Sequence, residues 1–192
     1  IEKAIATAYE MHTTAMKMAM PGRYEYELAG AMEGIALANG GPVSFPIIMT
    51  INGQTLHNHN HSNLLRVGRM LVMDAGCETP MHYCSDITRS VPVGGKFDAR
   101  QKAIYEIVLA ANMEVIKITK PGITYQEVHT QMSKVLAQGY KDLNILKGNV
   151  VVAVLRHLKL IRYPLPRILP VFSSDGVEHD LRRVGRTAIR TG

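Results

Sequence analysis

The 192-residue chain has no tryptophan, three phenylalanines and two cysteines. Two cysteines cannot build the disulfide framework of a small secreted scaffold. Cys77 and Cys84 are therefore expected as reduced thiols of a cytoplasmic protein, with a single bridge between them as the alternative. No stretch approaches 18 uninterrupted apolar residues, so no membrane-spanning helix is indicated. No secretory leader is expected at the start. Phosphate-binding glycine motifs are missing as well. Gly94-Gly95-Lys96 lacks the upstream glycine and the following Ser or Thr of a P-loop. Neither Gly-x-Gly-x-x-Gly nor the Gly-x-Ser-x-Gly of a serine nucleophile elbow occurs.

What is there is globular. With 46% hydrophobic and 20% charged residues, the chain can form one domain with a sizeable core or two small ones. The formal charge of +6 is uneven: residues 1–150 carry +1 and residues 151–192 carry +5. A basic tail can bind nucleic acid or another acidic surface. No aromatic-interleaved RNA-binding motif accompanies it.

Hydrophobic periodicity predicts helices over Glu2–Met20, Tyr26–Asn39, Arg100–Thr119 and Tyr125–Gln138. Pro21-Gly22 stops the first, Gly40-Gly41 the second and Gly139 the fourth. Strands are expected over Val43–Ile51 and Gln54–His61, joined at Asn52-Gly53, and over Met70–Asp74 and Tyr83–Thr88. The chain also echoes itself at an offset of one hundred residues. Lys17, Pro21, Gly22, Glu27 and Met32 are matched by Lys117, Pro121, Gly122, Glu127 and Met132, and Gly40 has a near counterpart in Gly139. Such self-similarity points to a duplicated unit of two helices followed by an antiparallel sheet. In the second copy residues 149–155 look strand-like, but Pro164, Pro166 and Pro170 follow and a complete second sheet is not evident.

The segment from Val72 to Arg89 holds the most chemistry. Asp74 and Asp86 lie in short β-prone runs separated by a turn near Pro80. A hairpin centred there would set the two acids directly opposite each other, on one face of a sheet. Like charges so placed repel unless a cation lies between them, and hard divalent cations take carboxylate oxygens. The same residues admit a plainer arrangement, with one acid capping a turn and the other pairing with Arg89. His57, His59 and His61 alternate, so a strand would present all three on one face. They could ligate a metal, act as acid or base, or line a polar cleft. His129, on a predicted helix, is read as structural.

One run carries a resemblance. Asp74-Ala-Gly-Cys-Glu, then Ser85-Asp86-Ile-Thr-Arg89-Ser-Val-Pro92-Val-Gly-Gly-Lys-Phe97, then Gln101, Ile104, Tyr105, Val108 and Leu109 resemble the aminopeptidase P (Xaa-Pro aminopeptidase) and prolidase family. Methionine aminopeptidase and creatinase are its relatives. Asn52-Gly-Gln-Thr-Leu56-His57 is similar to that family's segment carrying an active-site histidine. The resemblance covers residues 1 to about 150. It implies an α+β pita-bread fold with pseudo-twofold helix pairs on antiparallel sheet. It also implies a peptidase that removes the residue before a proline, through attack by a hydroxide bridging two divalent metals. Manganese is the metal expected, with cobalt or zinc as alternatives. Asp74 and Asp86 would be metal ligands, and His57 the catalytic, substrate-binding histidine. The expected partners are a peptide with an Xaa-Pro N-terminus and further copies of the chain, without membrane or nucleic acid.

The family's remaining ligands, a histidine and two glutamates, have no evident match. Val177-Glu-His179-Asp180 only faintly echoes one later family segment. Residues 1–150 are thus expected to form the first half and the start of the second half of a catalytic domain. Residues 151–192 would be a divergent basic segment, a truncated or misassigned second half. The domain usual ahead of this catalytic domain in aminopeptidase P is expected to be absent. A catalytically inactive peptide- or protein-binding module is the alternative function, and nucleic-acid association through the basic tail a further one.

Overall fold

The computed structural model describes residues 1–154, and the segment 155–192 with its Val177–Asp180 echo lies outside the described residues. The described chain divides into two compact units, one ending at Asp98 and the other beginning at Ala99. The first holds helices α1 (Glu2–Met18) and α2 (Glu25–Ala38) and strands β1 (Ile48–Thr50), β2 (Met70–Ala75) and β3 (Ile87–Pro92). The strands form one antiparallel sheet in the order β1-β2-β3. The second unit holds α3 (Ala99–Ile118) and α4 (Tyr125–Asp142).

The first unit's core follows from two periodicities. On α1, Ala4, Ala8, Met11 and Ala15 recur at helical spacing and are fully buried. On β2, Leu71, Met73 and Ala75 alternate toward the same cluster, which also takes Met49 of β1 and Leu28 and Met32 of α2. Small residues on α1 let the helices approach closely, and flexible methionines fill the gaps that remain. His12 joins this layer to the sheet. It is buried, and its Nε2 donates to the carbonyl oxygen of Ala75 at 3.2 Å.

The hundred-residue echo is structural. In each copy a helix runs into Pro-Gly, and the glycine takes a left-handed conformation, φ 88° at Gly22 and 89° at Gly122. In each copy a glutamate three residues past the N-cap reaches back to the N-cap backbone. Glu27 Oε2 accepts from Tyr24 N at 2.7 Å, and Glu127 Oε2 accepts from Thr124 N at 2.8 Å. Met32 and Met132 are both buried.

Five expectations fail, each for a visible reason. The strand expected over Tyr83–Thr88 forms over Ile87–Pro92, because the turn before it reaches Tyr83, whose carbonyl accepts from Thr79 N at 2.9 Å. Gln54–His61 is not a strand. Its polar side chains close local turns instead, with Asn60 N donating to Asn58 Oδ1 and Ser62 N to Asn60 Oδ1. Regular β1 pairing is limited to Ile48–Thr50, although Val43 bridges Cys77 farther along the sheet. Gly139 does not end α4, which continues to Asp142. A β-carbon there would stand 2.6 Å from Ile107 Cγ2, so the glycine permits close packing of α4 on α3. Residues 150–154 are helical rather than extended, because Asn149 Oδ1 accepts from Val151 N at 2.8 Å and caps them.

His12 gives the first unit a pH dependence. Burial lowers its pKa below the ordinary 6.5, outweighing the bond to Ala75 that raises it. The unfolded chain therefore takes up a proton near that value while the folded chain does not, so stability falls as the pH drops below about 6.5. Urea unfolding at about pH 7 and pH 5 is expected to show this loss, and His12→Gln, which keeps a donor for Ala75, to reduce it.

Candidate metal centre

The pairing of β2 with β3 sets the positions of the two acids. Asp74 lies opposite Thr88, not opposite Asp86. The hairpin is offset by two residues from the arrangement expected, because its turn is held lower, with His82 N donating to Thr79 O and Thr79 N to Tyr83 O. The same register continues beyond the strands: Ser85 N donates to Cys77 O at 2.9 Å, and Cys84 bridges Glu78. Asp86 is thereby aligned with Gly76. An offset of two preserves the face, where an offset of one would reverse it. Asp74 and Asp86 remain on one face as a diagonal pair, a relation that spans roughly 7–8 Å between α-carbons.

Both carboxylates are largely buried, Asp74 at 7% exposure and Asp86 at 9%. They occupy the face opposite the one where Leu71, Met73 and Ala75 meet the helices. Thr88, two residues after Asp86, donates from Oγ1 to Asp74 Oδ1 at 2.8 Å. That bond fixes the carboxylate plane and leaves Oδ2 as its second acceptor. Only the register reveals this partner, so sequence spacing passed over it. Cys77 and Cys84 are not joined in a disulfide, one is buried and one exposed, and odd and even positions send their side chains to opposite faces.

The three histidines do not share a strand face. His57 lies in a turn after β1 with φ 49° and is exposed. His61 donates from Nδ1 to Met49 O at 3.2 Å, which turns it back toward β1. His59 is exposed between them. β1 is the strand beside β2, with Ile48 opposite Asp74. The loop carrying His57 leaves β1 after Thr50, which lies opposite Val72, two residues along β2 from Asp74. Among the described residues no group of three or more His, Cys, Asp or Glu is placed to hold a metal ion. The two carboxylates are hard donors that fit one edge of a divalent-cation site.

Comparison with known proteins agrees with this framework. The sequence model of metallopeptidase family M24 matches residues 1–158, and the chain belongs to that family. Its relatives include Xaa-Pro aminopeptidases. Those of Haemophilus influenzae and Escherichia coli are each 36% identical over 144 residues, which covers 72% of this chain and 33% and 32% of theirs. Among solved structures, zinc-substituted E. coli aminopeptidase P in complex with product aligns with a TM-score of 0.76 at 32% identity, over 81% of this chain and 36% of that one. Aminopeptidase PepP of Pseudomonas aeruginosa aligns at 0.77 and 31%, over 83% and 36%. The resemblance read from Asp74 to Leu109 and the pita-bread fold it implied are borne out. The chain spans about a third of the length of these relatives. Among the described residues no helix is long and apolar enough to cross a membrane.

Gly76 makes the face possible. A β-carbon there would come 1.9 Å from Ser85 O and 2.6 Å from Ser44 Oγ, so no rotamer change relieves it. Gly76→Ala is expected to destabilise the first unit by on the order of 3 kcal/mol, read as a lowered unfolding midpoint. Thr88→Val is expected to cost only about 1 kcal/mol, the loss of one hydrogen bond.

Proposed function

We propose that the protein acts as a metal-dependent aminopeptidase that removes the N-terminal residue from peptides with proline second. The observation that carries this reading is the shared face of Asp74 and Asp86 within an M24 framework. The two acids would hold two divalent ions, manganese by preference because the donors are hard oxygens, with cobalt or zinc also admitted. Such ions polarise a peptide carbonyl and acidify bound water. Thr88 holds Asp74 in one orientation for this task. His57 would donate a ring N–H to the substrate carbonyl oxygen, an interaction that strengthens as negative charge gathers there. Residues 1–150 would be the first half and the start of the second half of the catalytic domain, with 151–192 a divergent basic segment. A cytoplasmic setting is proposed with it, as two cysteines make no disulfide framework.

A second reading, a binding module without catalysis, has one observation in its favour. The described residues supply no third ligand beside the acid pair. Turnover separates the two. Manganese-dependent release of the first residue from an Xaa-Pro peptide, followed by mass spectrometry, is expected, and Asp74→Asn is expected to lower it about 100-fold. No release from the wild type, with peptide binding retained in Asp74→Asn, would establish the module instead.

A further inference from the structure

Glu25 is the first residue of α2 and is fully buried, an unusual place for a carboxylate. Each of its oxygens holds one end of the loop that carries His57. Oε1 accepts from Ile51 N at 2.7 Å, where the chain leaves β1. Oε2 accepts from Asn63 Nδ2 at 3.0 Å, where the chain returns. The return is reinforced by the backbone, with Glu25 N donating to Asn63 O at 3.0 Å and Tyr26 N to His61 O at 2.9 Å. His57 stands midway, six residues from each anchor.

Two features make this more than a packing detail. A buried carboxylate is costly unless its oxygens are satisfied. Glu25 offsets that cost with two donors and with the positive end of α2. His57 also takes a left-handed φ of 49°, a conformation uncommon for a residue with a β-carbon. A loop of polar turns needs its ends fixed to hold such a residue.

We propose that Glu25 is the positioning residue for His57, its buried carboxylate tying both ends of the 51–63 loop to α2 and so setting where His57 stands relative to the sheet that carries Asp74 and Asp86. The consequence for catalysis rests on the role proposed for His57. The positioning itself does not.

Hydrogen exchange read by NMR on the full chain tests it, with Glu25→Ala, Glu25→Gln and Asn63→Ala as variants. Glu25→Ala removes both tethers. The Ile51 amide and the loop amides are expected to exchange at least about tenfold faster, and the His57 ring signals to shift, while Leu71 and Met73 of β2 keep their protection. Glu25→Gln is expected to stay near wild type, because a flipped Asn63 amide can accept from the new NH2. Should Glu25→Ala fail to fold, Asn63→Ala removes a single tether and is expected to give the same pattern at smaller size. Unchanged loop exchange and unmoved His57 signals overturn the proposal. So does loss of protection in β2 in step with the loop, which would make Glu25 a general stabiliser. Given turnover of an Xaa-Pro peptide, Glu25→Ala is expected to lower kcat more than it raises KM, and to add little in a His57→Ala background. Absence of turnover in the wild type would instead count against the aminopeptidase reading and leave the exchange result to decide Glu25.

Discussion

Side chains alternate across a strand, so pairing Asp74 with Thr88 sends every even-numbered residue of β2 and β3 to one face and every odd-numbered one to the other. The odd set includes Leu71, Met73 and Ala75, which close the core against Met11, Leu28 and Met32. A slip of one residue would expose that set and drive Asp74 in among the methionines. Burying an unpaired carboxylate there would cost several kcal/mol, so the core and the acid pair select the same register. Gly76 and the Thr79–His82 turn then place Asp86 two positions along from Thr88. The candidate site is thus a by-product of packing on the reverse of the same sheet.

The repeat gives a second level of order. Both copies end a helix at Pro-Gly, turn through a left-handed glycine and restart with a glutamate that closes a capping box. These backbone devices account for three of the five identities, the proline, the glycine and the glutamate, and Met32 and Met132 are matched as buried core residues. The positions that differ are the ones where function can enter. Glu25 in the first copy is a buried clamp on the His57 loop, and its counterpart Tyr125 is partly exposed. Gly40 ends its helix region with φ 91°, whereas Gly139 sits inside α4 against Ile107.

Much of the fold was legible because it rests on local physics. The four helices begin within about two residues of their expected starts, since apolar period and Pro-Gly breaks are written into the chain. The face shared by Asp74 and Asp86 was legible for the same reason, because alternation survives a two-residue error in register. What was not legible depends on partners distant in sequence. The loop 54–61 alternates like a strand, yet among the described residues no strand pairs with it, and its asparagines accept from nearby backbone N–H groups. Residues 149–155 are rich in β-branched residues, yet an asparagine cap at 149 sets 150–154 as a helix. Thr88 and Glu25 carry no local signal, and their roles exist only once Asp74, Ile51 and Asn63 are brought to them.

Membership of the M24 family and the geometry of one sheet face meet at a single point, the proposal that Asp74 and Asp86 bind metal together. Two carboxylates on one face can share a divalent cation through their hard oxygens. Manganese binding to the wild-type chain, to Asp74→Asn and to Asp86→Asn, followed by calorimetry and by the spin-resonance signal of the free ion, tests this most directly. Saturable binding by the wild type, at least about tenfold weaker in either variant, is the result predicted. Equal binding by all three proteins would contradict it.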